Sequence, residues 1–313
     1  MESFTLAVRV ITPLLVYMVV GVLVRRFSIM NEESLKSLNS MIFRILIPLM
    51  LFCSIYKADI RSAVRPKLYI YVLGCIIVLF YVSWAILKRR MKDDLPAAAT
   101  LAQAIARSNF ALFGVSVGAS LCDSDGMGTI ATLMTVVTPA YGVLSVVLFS
   151  ALQSKAMSKG HIIIDVFRNP IVLAGILGFI VSLAGIRLPE VIVKAFDTLG
   201  GTATPMALIA LGGMLTIKSL SNHRKYIIGA SVMRLILVPL VTLLVGWLLG
   251  MRGVELIAVL SVFAAPTAVA STPMAQEMGG DAELAGEIVA VTSFFSIITI
   301  FLWILVMSKL GLL

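Results

Sequence analysis

The stretch Ala106-Arg107-Ser108-Asn109-Phe110-Ala111-Leu112-Phe113-Gly114 sets three polar residues inside an otherwise apolar segment. A second stretch does much the same with proline and hydroxyls: Phe263-Ala264-Ala265-Pro266-Thr267-Ala268-Val269-Ala270-Ser271-Thr272-Pro273. Each reads as a membrane helix interrupted near its middle. An arginine such as Arg107 costs about 2.5–3.5 kcal/mol at the centre of a membrane helix, so it needs a reason to be there. Pro266 removes a backbone donor and pushes Ala265 away from helical geometry. It is also well placed to begin a new half-helix. Discontinuous helices of this kind often line a transport site.

Composition supplies the solvent. Of 313 residues, 60% are hydrophobic and 13% charged, and the mean hydropathy is +1.05. A soluble domain carries roughly twice that charged fraction, so lipid must face much of this surface. The net charge of +9 is gathered in short clusters between apolar stretches, such as Arg25-Arg26, Lys88-Arg89-Arg90 and Arg224-Lys225. That is the pattern of topology signals rather than of nucleic-acid binding. Cys53, Cys75 and Cys122 have no metal-ligand spacing, and His161 and His223 lie in polar loops. The N-terminus reads as a first spanning helix that stays attached.

A span needs about 20 mostly apolar residues. Ten candidates follow, near 4–24, 34–56, 67–87, 96–121, 127–152, 168–185, 191–217, 225–249, 254–278 and 284–308. Sliding the chain by 157 residues (170 − 13) brings Pro13 onto Pro170, Gly21 onto Gly178, Pro48 onto Pro205, Tyr69-Ile70 onto Tyr226-Ile227, and Asn109 onto Pro266. The predicted fold is therefore all-α and membrane-integral, with two five-helix repeats: 1–152, a short cytoplasmic linker at 153–167, and 168–313. Five is odd, so the second repeat enters from the opposite side, an inverted arrangement common in secondary transporters. Lysine and arginine are more numerous on the side that holds Arg25, Lys88, Lys155, Lys159, Lys218 and Arg224. That side is expected to be cytoplasmic, with both termini outside.

If spans four and nine cross at their breaks, half-helix N-termini converge on one spot that suits a carboxylate. The candidate binding residues are Arg107, Ser108, Asn109, Phe110, Pro266, Thr267, Ser271 and Thr272, with Pro48 of the second span. Alternatively, proline and hydroxyl residues are ordinary kinks and interhelical bonds. Arg107 either attracts or holds an anion, or it snorkels to the interface or pairs with an acid; Arg44 and Arg234 read as structural. Asp197 is the tempting embedded acid for ion coupling, though it also fits the start of a helix after Pro189-Glu190. Gly200-Gly201 and Gly212-Gly213 permit close helix approach. The spans hold no Ser-His, metal or paired-carboxylate constellation, so an enzyme is not expected.

Ile47-Pro48, Arg107-Ser108-Asn109 with Gly114, and Pro266-Thr267-Ala268-Val269 together resemble the auxin efflux carrier family, whose members include plant auxin exporters and bacterial malonate-type permeases. The short linker resembles the bacterial members. The resemblance implies the fold shared by bile acid/sodium symporters and sodium/proton antiporters, and an elevator-type secondary active transporter in the cell membrane. Spans 1, 2, 6 and 7 would form a scaffold, paired in a homodimer; spans 3–5 and 8–10 would form the moving core. Asn109 and Pro266 match the crossover. Ala111, Ser116 and Ala270 stand where the family often has Asn, Pro and a polar residue, which implies a more apolar or differently shaped pocket. The implied substrate is a small organic anion of the auxin/malonate carboxylate type, with no cofactor and with coupling to H+ or Na+ left open. A sodium-coupled bile-acid-type symporter and a membrane sensor or receptor are the alternatives.

Overall fold

The computed structural model describes residues 2–57, 65–114, 117–118, 121–122, 124–153, 168–215 and 223–312. Residues 154–167 of the expected linker, with Lys155, Lys159 and His161, lie outside the described residues, as do Ser116 and Lys218. The described residues are mainly helical: α1 Glu2–Arg26, α2 Glu32–Met41, α3 Ile47–Tyr56, α4 Pro66–Arg90, α5 Leu95–Ala106, α6 Ser124–Gln153 and α7 Pro170–Leu183 come first. They are followed by α8 Glu190–Gly201, α9 Ala203–Met214, α10 Arg224–Val232, α11 Val238–Leu248, α12 Val254–Phe263, α13 Ser271–Glu277 and α14 Ala282–Lys309. Among the described residues, five stretches are long and apolar enough to cross a membrane: Glu32–Tyr56, Pro66–Arg90, Gly126–Leu152, Arg224–Leu248 and Ala282–Lys309. Only 17% of the apolar window in Pro66–Arg90 is buried inside the protein, so most of its Ile, Val and Tyr surface has only lipid to face.

Local chemistry sets the helix ends. Asn31, Asp94, Asn169 and Asp281 accept backbone N–H bonds at the starts of α2, α5, α7 and α14, which satisfies donors that have no partner within the helix. Two prolines shape the interior of spans. Pro48 and Pro239 sit in the first turns of α3 and α11, and each follows a five-residue π-turn, Ile42–Leu46 and Met233–Leu237. A proline cannot donate to the preceding turn and its ring clashes there. Widening the turn relieves that clash without ending the span.

The helices pack in two groups. In one, α1 runs along α9, and α3 lies between α7 and α8. A Cβ on Gly21 would stand 2.0 Å from the Ile209 carbonyl oxygen, and one on Gly178 would stand 3.1 Å from that of Phe52. The two contacts are related by the 157-residue offset with partners exchanged, since Gly21 maps to Gly178 and Phe52 to Ile209. In the other group α4, α5 and α6 pack together, α14 lies against α13, α10 and α5, and α11 packs on α12.

Within that second group two helices stop short. After Ala106 and Phe263 the chains run extended past each other, and Ser108 and Thr267 form an antiparallel bridge. The Asn109 amide donates to the Pro266 carbonyl at 2.8 Å, and the Ala268 amide donates to that of Arg107 at 3.3 Å. The terminal carbonyls of α5 and α12 then need donors in a dry interior. Arg234, fully buried on the π-turn after α10, supplies them. Its Nη1 donates to Ile105 O at 3.0 Å and Ala106 O at 3.5 Å; Nη2 to Val262 O at 3.2 Å and Phe263 O at 3.0 Å; and Nε to Ala265 O at 2.9 Å. One guanidinium thereby meets the negative ends of two helix dipoles.

Two outcomes follow for thermal unfolding of detergent-purified protein. Gly21→Val destabilises by roughly 3 kcal/mol, at the upper end for overpacking because the obstacle is backbone; Gly74→Val, with open space beside it, leaves the melting temperature unchanged. Arg234→Met costs about 3 kcal/mol or more, because several buried carbonyls lose their donor at once. Arg234→Lys recovers only part, since a point charge cannot fork between two helix ends.

Candidate functional site

The crossing holds a cavity of about 50 Å3. Its walls come from the break after α5 (Arg107, Ser108, Asn109, Phe110 and Ala111), from the break after α12 (Ala268, Val269 and Ala270), from Thr138 and Tyr141 of α6, and from Met50 and Thr204 of the first helix group. The volume has room for a few water molecules. Both groups of helices therefore contribute walls, and the extended backbone of each break is what brings Asn109 beside Ala268.

Four expected residues, Arg107, Ser108, Asn109 and Phe110, line this cavity. Ser108 donates its hydroxyl to the Tyr141 oxygen at 3.1 Å. The Asn109 side-chain nitrogen is buried with no hydrogen-bond partner among the described residues. Arg107 is 6% exposed; its Nη1 lies against Met274 Sδ and 3.5 Å from Ser145 Oγ. No carboxylate pairs with it among the described residues. A guanidinium in an apolar interior without a carboxylate leaves a positive field that favours an anion. Ala111 and Ala270, the two family departures among the described residues, both face the cavity and make its walls apolar there.

The other expected residues fall elsewhere. Pro266 and Thr267 build the crossing rather than line it: Thr267 Oγ1 donates to Ala104 O at 2.9 Å, and its amide donates to Thr292 Oγ1 at 3.3 Å. Pro48 is buried in α3 two residues before Met50, and only Met50 reaches the cavity. Ser271 and Thr272 lie on α13 with buried hydroxyls that have no partner among the described residues. Thr272 instead lines a second cavity of about 380 Å3, shared with Arg25, Glu32, Lys36, Leu211 and Glu283. Arg44 is exposed and binds Glu277 through Nε at 3.1 Å and Nη2 at 3.0 Å. Beside it Asn39 donates to Gln276 at 3.0 Å, and Gln276 donates to the Lys36 carbonyl at 2.9 Å. These contacts clasp α2 to α13.

Asp197 is not an embedded acid. Its side chain is 54% exposed and pairs with Lys57 at 2.8 Å. Among the described residues the fully buried acid is Glu287, on the second turn of α14. It falls just inside the last expected span, 284–308, but follows Asp281 and Glu283 and reads with them as an acid flanking that span. Tyr141 and Thr138 were also missed; the proline between them, Pro139, was the one local signal.

The model of a family described as membrane transport protein matches residues 6–164 and 157–304. An uncharacterized transporter from Methanocaldococcus jannaschii is 24% identical over 310 residues, covering 94% of this chain and 96% of the relative. The uncharacterized transporter YfdV of Escherichia coli is 23% identical over 301 residues, covering 94% of this chain and 95% of its own length. Among solved structures, a sodium proton antiporter from Methanocaldococcus jannaschii superposes with a TM-score of 0.63 at 12% identity, covering 96% of each chain; the likeness is one of fold. With matches that span nearly its whole length, the chain belongs to the auxin efflux carrier family of membrane transport proteins and is a multi-pass membrane transporter.

Proposed function

We propose that this chain is a secondary active transporter of a small organic anion, a carboxylate of the auxin/malonate type, bound where the breaks after α5 and α12 cross. The observation that carries the reading is the buried Arg107 guanidinium, which meets no carboxylate among the described residues, beside an Asn109 side-chain nitrogen with no partner among them, at a cavity between two helix groups. An anion would supply both the missing charge and the missing acceptor. Pro266, Thr267 and Arg234 hold the frame; Ser108 and Tyr141 offer further hydroxyls.

The mechanism in this reading is alternating access of the elevator type. The groups divide as a scaffold of α1–α3 and α7–α9 and a core of α4–α6 and α10–α14. A cavity of about 50 Å3 must open to admit an anion of several heavy atoms, which requires the core to part from Met50 and Thr204. An inverted five-plus-five repeat with ten spans accounts for the exchanged contacts of Gly21 with Ile209 and Gly178 with Phe52. It also accounts for the hydrogen bond between Asn109 and Pro266, residues the same offset aligns. In the cell membrane both termini lie outside, and a homodimer forms through scaffold helices, where Leu177, Leu183 and Val191 expose apolar surface. Arg234 favours sodium independence: it already occupies the carbonyl ends that a sodium ion at the crossing would need as ligands.

The test is a melting screen of purified protein against mono- and dicarboxylates, with and without sodium, followed by uptake of the stabilising acids into proteoliposomes. A ligand at one hundred times its Kd adds about 2.7 kcal/mol to the state that binds it. The expected result is stabilisation by at least one carboxylate irrespective of sodium. Asn109→Ala should keep its melting temperature, because the lost side-chain nitrogen has no partner among the described residues, yet lose both ligand stabilisation and uptake. Neither stabilisation nor uptake by any carboxylate would sink the reading.

A further inference from the structure

Glu287 is the feature the anion site leaves unexplained. Its carboxylate is fully buried, on a helix of the core. Oε2 lies 2.7 Å from Nδ1 of His223, while Oε1 has no partner among the described residues. His223 stands just ahead of α10 with its side chain 26% exposed. Among the described contacts the buried acid thus touches a part-exposed imidazole, the side chain whose charge changes near physiological pH.

We infer that Glu287 and His223 form a proton-binding site, whose ligand is one proton exchanged with the side of the membrane that His223 faces, and that its occupancy is coupled to the anion at the crossing. This rests on the anion-carrier reading for its second half only. The ionisable groups on the elements around the pair are few. Asp281 and Glu283 occupy the start of α14, and Arg224 and Lys225 at the start of α10 are exposed. Glu277, at the end of α13, is engaged by Arg44. Arg25, at the end of α1, is near Glu32. Arg234 is spent on backbone carbonyls. Neither α5 nor α9 carries an ionisable residue. No other cation therefore replaces His223 at the Glu287 carboxylate among the described contacts. If the proton leaves, the carboxylate stays buried without a cationic partner, a condition that proteins avoid by regaining a proton or by moving the group to water.

The link to the crossing is α14 itself. Thr292 of the same helix accepts a hydrogen bond from the Thr267 amide inside the crossing. Five residues of helix separate it from Glu287, a rise of about 7–8 Å. An anion at the crossing therefore places negative charge within reach of the pair and raises its hold on the proton, and by reciprocity the proton favours the anion. A monoanion and this proton cross together with no net charge, which is a symport stoichiometry.

The pair has a pH signature of its own. Burial opposes the charge on His223, but the hydrogen bond and charge of Glu287, aided by Asp281 and Glu283, outweigh it and hold the imidazole above its ordinary value. A raised folded value means that the stabilisation is complete below about pH 6.5, the ordinary histidine value, and is lost as pH rises through the raised one.

The experiment has two arms. Purified wild type, Glu287→Gln, His223→Gln and Asp197→Asn are melted between pH 5.5 and 9. The gap in melting temperature between wild type and His223→Gln should be widest at the acid end and close as pH rises, while Asp197→Asn tracks wild type at every pH. A gap that is constant with pH overturns the proton site, and the His223 variant decides this even where Glu287→Gln fails to fold. In the second arm, proteoliposomes loaded with a pH dye receive a panel of carboxylates. Wild type should acidify the lumen as it takes up the acid, and His223→Gln should lose at least tenfold in acidification per acid imported. Uptake by wild type without acidification, or equal acidification by the variant, overturns the coupling and leaves the anion site standing. If no carboxylate enters at all, the anion reading falls, and the melting profile still decides the proton site.

Discussion

A guanidinium between two helix ends is the constraint on which the rest of the molecule depends. Breaking a helix inside a membrane exposes carbonyls that water cannot reach, and two breaks at one point double the debt. Arg234 answers both at once: its fork spans the ends of α5 and α12, and its charge opposes two dipoles that would otherwise repel. Only with those ends fixed can the extended segments pair through Asn109 and Ala268, and only that pairing exposes the Asn109 side chain to a cavity.

The same need for satisfied backbone explains the differing treatment of prolines. Pro48 and Pro239 lie where a span can widen into a π-turn and go on. Pro266 lies where its own carbonyl is taken by the Asn109 amide from another segment. A proline thus either bends a helix or ends it, and the deciding factor is whether a neighbouring strand of backbone is available to accept the difference.

Much of this was legible in the sequence where cost was local. A polar run in an apolar segment and a proline in another are expensive wherever the chain goes, so both breaks could be read from residue order alone. The offset of 157 residues even named the pair, Asn109 and Pro266, that shares a hydrogen bond. What order could not reveal was set by distant packing. Arg234 read as a basic residue inside a span, and nothing beside it in the chain says that Ile105 and Phe263 converge on it. Glu287 read as one more acid after Asp281 and Glu283; its burial is imposed by the start of α10. Asp197 misled for the opposite reason: its neighbourhood in sequence is apolar, yet its side chain is exposed and paired with Lys57. Ser271 and Thr272 are adjacent to the break, yet helix α13 turns them away from the crossing cavity.

The clasp between α2 and α13 has a consequence of its own. Its central pair, Arg44 and Glu277, joins a side chain that is 69% exposed to one that is 11% exposed, and water competes for such bonds. The glycine contacts of α1 with α9, by contrast, are dry and close to the backbone. Mechanical compliance is therefore distributed unevenly. A shearing force would part the wet seam long before it disturbed the dry ones, and dissolved salt would lubricate that seam while leaving the two blocks on either side as stiff as before.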